Sequence, residues 1–173
     1  MSISLNTKQV FDKQRMRHYL NGELSVLHCH HYSTLFTQLA DDADWLNGPQ
    51  LLAESAEESI YPVLSKYFND ENVSSMEDRI AIAEQYYAHV GLGQVTILAS
   101  GQEWNAEMPH AHVDEGWIKK WDTRNKAVNF IGQGFLAAAV AAINNEQPGS
   151  YRVAEIQSIV KGAETSKFTI TKK

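Results

Sequence analysis

The fold is decided by Tyr151-Arg152-Val153-Ala154-Glu155-Ile156-Gln157-Ser158-Ile159-Val160, followed by Lys161-Gly162 and then Ser166-Lys167-Phe168-Thr169-Ile170. Both runs alternate with period two around a glycine turn, so they read as the arms of an antiparallel hairpin. Working outward, Phe130–Ile143 is an alanine-rich helix, and Val113, Trp117 and Trp121 share one face of a shorter one. Val95–Ser100 reads as a strand, Ser100-Gly101 as a turn, and Gln102–Met108 as its partner. Ser74 and Glu77 have capping-box spacing for a helix that runs to about His89. Gly48-Pro49 starts another, carrying Leu52, Ala56, Ile60, Val63 and Tyr67, with Pro62 set to bend it. From His31 onward Tyr32, Leu35, Phe36, Leu39, Ala43 and Leu46 recur at threes and fours, a further amphipathic helix, and Glu23–His28 is a short strand ahead of it. Helices mixed with hairpins, without regular β-α-β alternation, predict an α+β fold in one domain spanning 1–173.

Composition narrows the function classes. The 173 residues are 43% hydrophobic and 21% charged, ordinary for a globular chain with its own core. The single cysteine, Cys29, excludes an internal disulfide and any all-cysteine metal site within one chain. Net charge is −6, and positions 41–60 carry Asp41, Asp42, Asp44, Glu54, Glu57 and Glu58 with no base. No basic stripe interleaves with aromatics, so nucleic acid is not an expected partner. Charged residues from Lys8 to Arg17 interrupt any leader-like apolar segment, and no stretch approaches the ~20 apolar residues of a membrane span. The expectation is a cytoplasmic protein without a membrane span.

The order of elements over 126–170 resembles a known family. The helix with Gly132-Gln133-Gly134-Phe135-Leu136-Ala137-Ala138-Ala139, the long strand, Lys161-Gly162 and the closing strand are together similar to the 4-vinyl reductase, or hydrocarbon-binding, domain. His110-Ala111-His112-Val113-Asp114-Glu115-Gly116-Trp117 stands where such domains place the segment ahead of the glycine helix. The resemblance implies an antiparallel sheet packed by helices, a homodimer, and a mostly apolar pocket for a small molecule. Members of the family include sensors of aromatic effectors, proteins tied to tetrapyrrole vinyl reduction and vesicle-tethering subunits, so fold alone does not settle function. Many effector sensors hold a structural zinc with cysteines near the glycine helix and in the final turn. Asn129 and Ser166 occupy those places here, so that zinc site is expected to be absent.

Five of the seven histidines fall into two groups, His28-Cys29-His30-His31 and His110-Ala111-His112. On extended chain, residues two apart project from one face, so His28 with His30, and His110 with His112, can each present two imidazoles. Such ligands suit iron or zinc, and Glu115 would add a carboxylate from a helical turn. Without metal, the same imidazoles can donate to an oxygen of a bound phenol or carboxylate. Cys29 as a nucleophile is the weaker option, because its neighbouring histidines point to opposite sides of a strand.

Four tryptophans are many for this length. Trp104, Trp117 and His31 are the candidate ligand-binding residues, the indoles as core or as the flat wall of an aromatic pocket. Gly132-Gln133-Gly134-Phe135-Leu136-Ala137 matches a dinucleotide fingerprint, but too little chain follows for a second nucleotide-binding half. Those small residues point to close helix–sheet packing, and no dinucleotide is expected. The functional expectation is a binder of a small apolar or aromatic molecule, with His28, His30, His110, His112 and Glu115 as a polar or metal-bearing end. The competing classes are a metal-dependent enzyme acting on that ligand and an assembly or trafficking scaffold.

Overall fold

The computed structural model describes residues 3–100 and 103–173. Its C-terminal half is built on four antiparallel strands, β4 (Gly93–Ser100), β5 (Glu103–Ala111), β6 (Tyr151–Gln157) and β7 (Ser166–Lys172), in the order β4-β5-β7-β6. The expected hairpin is the β6–β7 pair, with Val153 opposite Ile170. The turn expected at Ser100-Gly101, and Gln102 after it, lie partly outside the described residues. Along β5 the side chains of Trp104, Ala106 and Met108 are buried and their neighbours are not, the period-two pattern of a sheet with one covered face.

The cover is α5 (Phe130–Ile143), at the bounds its sequence predicts. All of α5 except Ile131 and Gln133 is buried, which is what a helix apolar on every side requires. Its outer neighbour is α2 (Gly48–Asp70), which runs on through Pro62. A Cβ added at Gly134 would stand 2.1 Å from the Ala53 carbonyl oxygen of α2. The glycine therefore permits close helix–helix contact rather than the helix–sheet contact expected. α3 (Met76–His89) completes this layer, capped one residue later than the Ser74–Glu77 spacing predicts: the Ser75 hydroxyl accepts from the Asp78 amide at 3.0 Å.

The N-terminal region departs from expectation. A small antiparallel sheet, β1 (Gln9–Asp12), β2 (Arg17–Leu20) and β3 (Glu23–Ser25), precedes the helices. The predicted Glu23–His28 strand ends at Ser25, because among the described residues no strand pairs with the backbone beyond it. The clue to this sheet is Asn21-Gly22, a two-residue turn with φ of 50° and 86° that joins β2 to β3. α1 (His30–Asp42) follows, and α4 (His112–Trp121) starts directly at the end of β5. The apolar stripe of α1 faces outward: Tyr32, Leu35, Phe36 and Leu39 are exposed, whereas Ser33, Thr34 and Thr37 are buried against the body.

Candidate functional site

Extended geometry does not hold at either histidine group. His30 opens α1 and His112 opens α4, so each leaves its strand partner. His110 stays on β5 with an exposed side chain, and its Nδ1 lies 3.2 Å from Glu115 Oε1. The remaining imidazoles gather where the two helix starts meet. The His112 ring centre is 5.6 Å from that of His28 and 6.2 Å from that of His30. His31 stacks on His30 at 4.2 Å, on the outer side of the group. The structure thus brings His28, His30 and His112 together, with His31 beside them, and makes His110 and Glu115 a surface pair.

Local packing explains the closeness. α1 lies on α4 through small residues, and a Cβ at Gly116 would be 2.8 Å from His30 Cβ and 3.0 Å from Thr34 Cγ2. At the far end of the seam, Asp41 of α1 binds Arg124 Nη1 at 2.8 Å and Lys126 Nζ at 2.7 Å. Burial works against ionisation of Asp41, yet the hydrogen bonds from Lys126 and Arg124 hold it below the ordinary carboxylate range. Arg124 also lies over the Trp117 ring, 5.0 Å from its centre. Between these anchors, Nε2 of His30 and Nε2 of His112 are buried without a hydrogen-bond partner, as is the Ser33 hydroxyl. Desolvation, then the neighbouring imidazole of His31, lowers the pKa of His30; desolvation, then His28 and His30, lowers that of His112. The pair therefore offers neutral imidazoles, able to donate, accept or ligate.

A second polar cluster, which the sequence reading missed, lies beneath α4. Asp114 is fully buried, and its Oδ2 accepts from the Ser166 hydroxyl at 2.9 Å and from Asn129 Nδ2 at 3.3 Å. Asn129 also caps α5, its Oδ1 accepting from the Gly132 amide. Glu155, Ser158 and Tyr87 adjoin the cluster; Asp114 Oδ1, both Glu155 carboxylate oxygens and the Ser158 hydroxyl are buried without partners. Desolvation, then Glu155, pushes Asp114 up to about 7, and desolvation raises Glu155 as well. Asn129 and Ser166, which the resemblance sets roughly where effector sensors carry zinc-binding cysteines, both bind Asp114 Oδ2. Their oxygens and amide are already engaged with Asp114, Gly132 and Ile159, and no thiolate is present. This donor set does not fit such a zinc. A legible clue to the cluster was the acid at 114 in an otherwise apolar inner face with Val113 and Trp117.

Trp104 and Trp117 are both buried but belong to different clusters, Trp104 to the main core and Trp117 to a smaller group with Val113, Val128 and Val160. Three cavities, of about 360, 590 and 290 Å³, open at the surface, and none is lined by Trp104, Trp117 or His31. Among the described residues, no three or more His, Cys, Asp or Glu side chains stand close enough to enclose a metal ion. Nor is any helix there long and apolar enough to cross a membrane.

With this geometry in view, comparison with known proteins is informative at the level of fold. No protein-family model matches the chain, and no curated protein matches its sequence. Among solved structures it is similar to the phenol-responsive sensory domain of the transcription activator PoxR, with a TM-score of 0.74 at 12% identity, over 95% of this chain and 84% of that one. It is also similar to a trafficking protein particle complex subunit 3 from Naegleria fowleri, covalently bound to palmitic acid, with a TM-score of 0.50 at 11% identity, over 82% of this chain and 95% of that one. The α+β architecture is that of the PoxR sensory domain.

Proposed function

We propose that this chain is a 4-vinyl reductase-type domain that binds a small aromatic molecule in the seam between α1 and α4. The observation that carries the reading is the pair of buried, unpartnered imidazole nitrogens, His30 Nε2 and His112 Nε2, at that seam. Leaving such nitrogens unpaired in a desolvated contact is unfavourable, and a hydroxyl between them would pair both. A phenolic hydroxyl can donate to one neutral imidazole and accept from the other, while Trp117 supplies an aromatic face deeper along α4. The likeness to a phenol-responsive sensory domain supports this class of guest. By the same resemblance we propose a cytoplasmic homodimer.

A metal-bearing version of the same end has one observation in its favour. Two imidazoles on one tetrahedral ion, with bonds of about 2 Å, put their ring centres about 5 Å apart. The 5.6 and 6.2 Å separations around His112 need only a small closure to reach that. His28, His30 and His112 would hold iron or zinc, which would supply a Lewis-acid position for the ligand oxygen and, in an enzyme, for a reaction upon it. An assembly or trafficking scaffold, the remaining reading, would leave the seam without a ligand.

Calorimetric titration with phenol, and separately with Zn²⁺ and Fe²⁺, tests these readings. The expected result is phenol binding that His112→Ala weakens by at least about tenfold, the loss of roughly one hydrogen bond, with melting temperature unchanged or raised. Zinc or iron binding that the same substitution abolishes would put the metal version ahead. Phenol affinity unaffected by His112→Ala would overturn the seam as the site.

A further inference from the structure

The largest of the three cavities, about 590 Å³, shares no residue with the histidine seam and is lined by the first turns of α2, by α5 and by the start of β6. Its size suits a small molecule. Ala53, Phe130, Ala137 and Val153 give it apolar walls, and two opposite charges, Glu57 and Arg152, line it as well. Glu57 is only 6% exposed, and its Oε1 accepts from the Gly149 amide at 2.7 Å. Among the described residues Oε2 has no partner, and neither Glu57 nor Arg152 is in an ion pair. Glu54, on the same wall, is already engaged by Gln50 Nε2 at 2.7 Å. A carboxylate so far out of water calls for a cation or for hydrogen bonds to both oxygens, and the chain supplies one of these bonds.

We infer that this cavity is a second ligand site, for an α-amino acid with an apolar side chain. The ammonium donates to Glu57 Oε2, the carboxylate accepts from the Arg152 guanidinium, and the side chain lies against the apolar walls. The spacing fits. Gly149, where Glu57 is held, and Arg152 are three residues apart, so their backbones lie within about 10 Å. An α-ammonium and α-carboxylate, each with a hydrogen bond of ~2.8 Å, bridge roughly 8–9 Å, a gap the long Arg152 side chain can adjust to. Lys173 also lines the cavity, its amide bound to the Ser150 carbonyl at 2.9 Å, and adds a second cation at the carboxylate end. Complementary charge selects the guest. A simple amine leaves Arg152 and Lys173 facing its positive charge, and a simple carboxylate leaves Glu57 desolvated without a cation. Phenol carries neither charge, so the two sites take different guests.

The test is calorimetric titration of the whole chain with three probes: L-phenylalanine, 2-phenylethylamine, which lacks the carboxylate, and 3-phenylpropionate, which lacks the ammonium. L-Phenylalanine is expected to bind at least about tenfold more tightly than either, since each analogue gives up one charge-assisted contact. Glu57→Gln keeps an acceptor for the Gly149 amide. It should weaken phenylalanine by about tenfold or more and leave phenylpropionate unchanged. Arg152→Gln, at an exposed position where folding is not at stake, should weaken phenylalanine and leave phenylethylamine unchanged. His112→Ala should leave phenylalanine affinity as it is, so this site and the seam can fail separately. No binding of L-phenylalanine, equal affinity for either analogue, an equal effect of Glu57→Gln on all three probes, no effect of Arg152→Gln, or loss of phenylalanine binding in His112→Ala would each overturn the inference.

Discussion

The last third of the molecule and α1 place their apolar residues oppositely. In α5 and β7 the apolar positions turn inward, α5 onto α2 and Phe168 and Ile170 into the core, although Ile156 of β6 stays exposed. In α1 an amphipathic stripe turns outward and small polar residues turn in. Which way the stripe points depends on what covers it, and for α5 that cover lies within the chain. The difference separates a region whose apolar surface is covered within the chain from one whose apolar stripe stays exposed.

The comparison breaks most severely at Gly134. Substitution by leucine puts a side chain where even a Cβ meets the Ala53 carbonyl oxygen at 2.1 Å and the Ala56 Cβ at 2.7 Å. Overpacking against backbone has no flexible neighbour to displace, so α2 must move off α5. The expected loss is about 3 kcal/mol or more, a fall in melting temperature of at least roughly 6 °C for a chain of this size. Differential scanning calorimetry reads it directly. A wild-type melting temperature would mean that α2 rides loosely on the core, and the last third would then not be the self-sufficient region.

Legibility follows the same division. The bounds of α5 were readable because its apolar residues, its Asn129 cap and its glycines all point to one buried helix. The β6–β7 hairpin was readable from alternation, although β6 ends at Gln157 and a short 3-10 turn over Ile159–Lys161 leads into Gly162 at φ 93°. The N-terminal sheet was signalled only by Asn21-Gly22, since its strands of three and four residues are too short to show a period. At the site, spacing marked the histidines but not their grouping. Residues two apart share a face only on extended chain, and helix starts at His30 and His112 redirect them. Asp114 was invisible as half of a buried pair because Glu155, its neighbour in space, lies on another element far along the chain.

That acid pair is the place where the well-sealed region is open to challenge. Asp114, near 7, and Glu155, also raised, keep protons in the folded chain that the unfolded chain has released above about pH 4. With more protons bound when folded, stability falls as pH rises through about 4 to 7 and levels off beyond. His30 and His112 work in the other direction: their contribution is complete above 6.5 and lost as pH falls below it. Asp41, lowered, loses its contribution only in stronger acid. Asp114→Asn retains a neutral, hydrogen-bonding group and removes the titration. Its stability relative to wild type should therefore increase by about 2 kcal/mol between pH 5 and 7.5. Urea unfolding at both pH values measures this; a constant difference would show that Asp114 is ionised and compensated in the fold.

The smallest effect is expected where the two regions are most nearly independent. Gly116→Ala introduces a methyl 2.8 Å from His30 Cβ and 3.0 Å from Thr34 Cγ2, with the His30 carbonyl oxygen at 3.3 Å, so α1 has to shift off α4 to make room. A loss of about 1 kcal/mol is expected, near the low end for overpacking, and it should be local. Amides of α1 should exchange faster while those of α5 and β7 keep their protection, since α1 meets α4 here and at the Asp41 pairs with Arg124 and Lys126, and its other contact is with α2 near Gly48 rather than with α5 or β7. Phenol affinity should fall with it, because a displaced His30 no longer faces His112. If α5 loosened equally, α1 would have to be an integral part of the core, and its outward stripe would need an explanation from within a single chain.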